Sequence, residues 1–95
     1  MDIGWAFVGK ADVVKYIRKL GRRLALVHIK DADAEYRLTE VGSGALDMKA
    51  ALDAARAFGV KWGIVEQDDN FKISPFESAK TSYEYLKTIL SYGDV

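Results

Sequence analysis

The sequence predicts a parallel α/β protein of about three strand–helix units. Three observations carry this: strand-like and helical segments alternate, the strand-like runs are almost continuously apolar, and each run ends in polar residues. No low-complexity linker interrupts the chain, and 95 residues suit one domain, 1–95.

Taken in order, the opening Ile3 to Val8 reads as the tail of a strand plus its loop. The first helix runs from about Val13 to Leu20. Asp12 is its cap, because a carboxylate accepts from the free amides of the first turn. Val13, Val14, Ile17 and Leu20 form its apolar stripe, and Gly21 sits where a left-handed residue ends a helix. The first complete strand, Leu24 to Ile29, ends in Lys30-Asp31. A loop, Glu40-Val41-Gly42-Ser43-Gly44, reads either as a substrate contact or as a flexible connection to Asp47. Asp47 caps the second helix, Met48 to Phe58, with Met48, Ala51, Leu52, Ala55 and Phe58 on its buried face and Gly59 as its stop. The second complete strand, Trp62 to Glu66, ends in Gln67-Asp68-Asp69. Ser74-Pro75-Phe76-Glu77 is a capping box with proline at the first helical position. The third helix continues through Phe76, Ala79, Tyr83, Leu86 and Leu90 as its apolar face, ending before Gly93. The aromatic residues fall largely on such faces and are expected in the core.

Lys plus Arg equal Asp plus Glu, 14 each, so net charge is zero and nothing steers the protein toward nucleic acid or an anionic membrane. Without cysteine there are no disulfides or thiolate metal sites. No apolar run approaches the ~20 residues of a membrane span, and Asp2 stands where a signal peptide carries positive charge. The expected compartment is the cytoplasm. Two complete strands make a marginal sheet in water. The chain is therefore expected to complete its sheet from copies of itself, to pack in some other way, or to be a piece of something longer.

Asp2, His28 and Glu66 each lie at or near the C-terminal end of a strand-like segment, the edge where parallel α/β sheets build active sites. Two carboxylates and an imidazole on successive strands suit a divalent cation such as manganese, magnesium, cobalt or zinc. The plainer alternative is a hydrogen-bonded histidine at a strand end and a solvated Asp2. An acid closing Gly63-Ile64-Val65, by contrast, is costly to bury without a partner.

The strings Asp2-Ile3-Gly4-Trp5, Val27-His28-Ile29-Lys30-Asp31, Glu40-Val41-Gly42-Ser43-Gly44 with Asp47, and Ile64-Val65-Glu66-Gln67-Asp68 occur in order along nearly the whole chain. Together they resemble the last quarter or third of the sugar phosphate isomerase/epimerase family, with its xylose-isomerase-like (β/α)8 barrel, which includes inosose dehydratases and ketose 3-epimerases. The resemblance implies a partial barrel and a small sugar or polyol substrate. It implies a divalent metal held by Asp2, His28 and Glu66, with Glu66 also the catalytic base. Trp5 and Lys30 are the expected substrate contacts; a tryptophan in a strand-end loop either lines a sugar pocket or covers the open end of the sheet. The family's first metal-binding glutamate has no counterpart, so the chain would keep one of two bases and an incomplete metal shell, and the monomer is not expected to turn over. The epimerases carry His three residues after the aspartate, where this chain has Trp5, and Arg six residues after the histidine, where it has Ala34. Those departures argue against ketose epimerase specificity and leave dehydratase-like members closer. The competing reading is a non-catalytic α/β fragment that self-associates and has no activity of its own.

Overall fold

The computed structural model describes residues 1–90. Four α-helices, α1 (Ile3–Val8), α2 (Val13–Leu20), α3 (Met48–Ala57) and α4 (Pro75–Ile89), accompany four strands, β1 (Leu26–Ile29), β2 (Asp31–Ala32), β3 (Leu38–Thr39) and β4 (Trp62–Val65). The fold is thus mixed α/β with a parallel pair at its centre: β1 and β4 run side by side, Leu26 opposite Trp62 through Ile29 opposite Val65. On the other edge of β1, Asp2 forms a parallel bridge to His28, whose amide donates to the Met1 carbonyl at 2.9 Å. β1 is therefore the middle of three parallel segments.

The caps form as their residue types require. Asp12 Oδ1 accepts from the Lys15 amide, Asp47 Oδ1 from Ala50 and Ser74 Oγ from Glu77. Gly21 and Gly59 follow α2 and α3 with positive φ. The core gathers Ile3, Ile17, Val27, Met48, Leu52 and Ala55, with other aliphatic side chains around them.

Four expectations are corrected. Residues 3–8 are a helix, not a strand tail and loop: Asp2 caps it through the Trp5 amide at 2.9 Å, and Ile3 turns wholly into the core. Only Met1 and Asp2 carry strand pairing there. β1 begins at Leu26 because a 3-10 turn, Gly21–Arg23, uses the Leu24 amide. The parallel strands are not covered on both faces: β1 is covered on one, and β4 is exposed along its length, with Trp62 at 71 % exposure. Finally, most aromatics are not core. Phe7, Phe58 and Tyr85 pack partly buried against it, but no aromatic side chain is fully buried among the described residues, and Tyr16, Tyr36, Trp62, Phe76 and Tyr83 are exposed. Tyr92 and Gly93 lie outside the described residues.

α4 shows why. Its buried positions are Ser78, Ser82 and Leu86, while Phe76 stands 77 % exposed and Tyr83 half exposed. Ser78 donates to Glu40 Oε2 at 2.6 Å, and Ser82 Oγ accepts from the Val41 amide at 3.0 Å. Satisfying those buried groups outweighs burying the apolar stripe. An antiparallel β2–β3 hairpin, which the sequence reading does not contain, places Glu40 and Val41 beside this helix.

Candidate metal centre

Side chains alternate across a strand, so the even positions of β1 and β4 share one face of the sheet. Leu26 and His28 lie there with Trp62 and Ile64, and the residues beyond the strand ends, Lys30 and Glu66, continue the alternation. The ladder reaches this far, because the Glu66 amide donates to the Ile29 carbonyl at 3.0 Å. Asp2 joins from the neighbouring segment, opposite His28. The helices bury the odd positions, Val27 and Ile29.

Asp2, His28 and Glu66 therefore converge, and one donor atom from each lies within 4.8 Å of the others. His28 Nδ1 is 2.9 Å from Glu66 Oε1 and 3.6 Å from Asp2 Oδ2. Asp2 divides its carboxylate: Oδ1 caps α1 and Oδ2 faces the cluster. All three residues are partly exposed, so an ion or substrate has access. The donor set fits a divalent cation of intermediate hardness, with two carboxylate oxygens and one imidazole nitrogen and room for further ligands.

Lys30 and Trp5 come to the same place. The Lys30 ammonium lies 2.9 Å from Asp2 Oδ2, 3.4 Å from Glu66 Oε1 and 2.7 Å from Asp68 Oδ2, and 5.1 Å from the centre of the Trp5 ring. It is only 2 % exposed. Burial works to lower its pKa, but the hydrogen bonds to Asp68 and Asp2 overcome that and raise it, so Lys30 is a fixed cation. Asp68 is lowered in turn, chiefly by its hydrogen bond to Lys30, with a smaller contribution from Trp5. Gly4 lets α1 press on this lysine, since a Cβ there would come within 2.5 Å of Lys30 Cβ and 2.8 Å of its carbonyl oxygen. Asp68 is the member that sequence reasoning missed. Its signal was available: it stands two residues beyond Glu66, on the same side of an extended chain.

The segment 40–44 is not a loose connection. Glu40 and Val41 are buried, and Asp31 Oδ2 accepts from the amides of Gly42 at 2.9 Å and Gly44 at 3.2 Å. Burial raises the Asp31 pKa against these backbone donors. Asp31 and Glu40 thus fasten the segment, while the neighbouring Lys30 serves the rim. Among the described residues, no helix is long and apolar enough to cross a membrane. No protein-family model matches the chain, and no curated protein matches it.

Proposed function

We propose that the rim cluster is a divalent-cation site and that the chain forms part of a metal-dependent isomerase, epimerase or dehydratase acting on a sugar, sugar phosphate or polyol. The observation that supports this is the meeting of Asp2, His28 and Glu66 from three parallel segments at the C-terminal edge of the sheet. A divalent ion held there would polarise a carbonyl or hydroxyl oxygen of the substrate. Glu66 is the base at this rim, with one carboxylate oxygen 2.9 Å from His28. Lys30 supplies a fixed positive charge, and the exposed Trp5 ring offers an apolar face to a sugar ring.

Manganese titration followed by electron paramagnetic resonance tests the site. The expected result is binding by the native chain and a loss of at least about tenfold in affinity for His28→Ala and Glu66→Gln. Absence of binding at millimolar manganese, or an unchanged affinity in His28→Ala, would remove the cation reading.

A second reading, self-association without activity, draws support from the uncovered sheet face. Leu26, Trp62 and Ile64 are apolar and exposed below the rim, on the face that a barrel would turn inward. The two readings are compatible where copies of the chain supply each other's missing cover.

A further inference from the structure

We propose that Lys30 and Asp68 together set the cation affinity of the rim site: the Lys30 ammonium competes with a divalent ion for Asp2 and Glu66, and Asp68 draws that ammonium aside. The inference rests on the divalent-cation reading given above and deepens it.

The same two oxygens face both groups. Asp2 Oδ2 and Glu66 Oε1 lie 3.6 and 2.9 Å from His28 Nδ1, and 2.9 and 3.4 Å from Lys30 Nζ. An ion that takes those oxygens must share them with an ammonium already beside them. The ammonium cannot retreat into water. Lys30 is almost fully buried, Gly4 packs against its β carbon, and the Trp5 ring lies alongside its nitrogen. The shortest of its three carboxylate contacts is to Asp68, at 2.7 Å. Asp68 is half exposed, on the irregular segment after β4, so it can stay with the lysine when the other two carboxylates turn to a metal.

Charge supports the same division of labour. Three carboxylates and one ammonium leave two negative charges beside the imidazole, the amount a divalent ion cancels. Removing Asp68 halves that excess and returns the ammonium to Asp2 and Glu66. Removing the lysine's charge increases it. A unit charge inside one cage changes the affinity for a divalent ion about tenfold even when screened as in bulk water.

The test is manganese titration of the full chain by electron paramagnetic resonance, at fixed pH and ionic strength, for the native protein, Lys30→Met, Asp68→Asn and Asp68→Glu. The expected results are binding about tenfold tighter in Lys30→Met and about tenfold weaker in Asp68→Asn, with Asp68→Glu close to native. A purely structural ion pair would not move the first two variants in opposite senses. If both change in the same sense, or neither changes while the native protein still binds manganese, the inference is overturned and the cation site stands. If the native protein does not bind, both fall. Should Lys30→Met fail to fold, the Asp68 pair decides alone: its side chain is half exposed, and a native-like affinity in Asp68→Asn overturns the proposal.

Discussion

A buried carboxylate needs hydrogen-bond donors, and Glu40 is an example: its nearest cation, the Lys72 ammonium, stands 3.9 Å away, and neutral donors make its short contacts. Burial works to raise its pKa, but the Ser78 hydroxyl, the Lys72 amide and the Gln67 side chain hold it down to about 2, against an ordinary value of 4.5. A depressed folded pKa adds stability that is complete above the ordinary value and disappears as pH falls through the folded one. The window here is about pH 4.5 down to about 2, and the full shift is worth on the order of 3 kcal/mol. Asp31 runs the other way. Its folded pKa is raised, so folding favours its protonation and partly offsets Glu40 as pH falls. A comparison of variants separates the two. Ser78→Ala should cost about 1–3 kcal/mol at pH 7, measured by urea unfolding, and the difference from native should shrink toward pH 2. A difference independent of pH would mean that Ser78 does not act through the Glu40 charge. At this scale the sequence was informative about residue types at strand ends. Asp2, His28, Lys30, Trp5 and Glu66 were all legible, and they do converge. Asp68 was missed although it stands two residues beyond Glu66, and the buried role of Glu40 was not legible, because it depends on a partner 38 residues away in the chain.

Elements were easier to locate than to orient. Local signals placed α2, α3 and α4 to within a residue or two, because a cap and a terminating glycine act over one turn. The face that α4 buries was read only in part: Leu86 is buried and Leu90 packs on the core, but Phe76 and Tyr83 are exposed, since apolar periodicity does not report that a carboxylate and an amide elsewhere require the helix's serines. Segment 40–44 meets the same helix at Gly42, which has φ of 95° and where a Cβ would clash with the Tyr85 ring. Gly42→Ala should therefore destabilise by about 3 kcal/mol or more, through backbone strain and overpacking together. Chemical denaturation would check this, and a loss under about 1 kcal/mol would show that Tyr85 moves aside easily.

For the whole molecule, the decisive feature is that helices cover one face of β1 and neither face of the edge strand β4. Parallel strands are ordinarily buried on both faces, and an uncovered edge strand invites another chain. Here Trp62 and Ile64 lie on the open face of the edge strand β4, and Phe76 and Tyr83 face solvent from α4. Sedimentation at micromolar to tens of micromolar concentration should show reversible association of the chain. The double substitution of Trp62→Glu and Ile64→Lys should weaken it by about tenfold or more, because charge on the open face would have to be desolvated. A native chain that stays monomeric throughout that range would remove the self-association reading and leave the cation site untouched.

By itself, the sequence determined the helices that carry caps, the two apolar strands and their parallel sense, and which acid and imidazole groups stand at the strand ends. These follow from interactions within a few residues, or from the period of the side chains. Only the tertiary structure decided that residues 3–8 wind into a helix, that a hairpin follows β1, that α4 buries serines, and that one sheet face stays open. It also decided that Lys30 is enclosed among three carboxylates. For the serines, segment 40–44 and Lys30 the physical reason is the same: a buried polar group must find its partner wherever the fold brings one, and that partner lies far away along the chain.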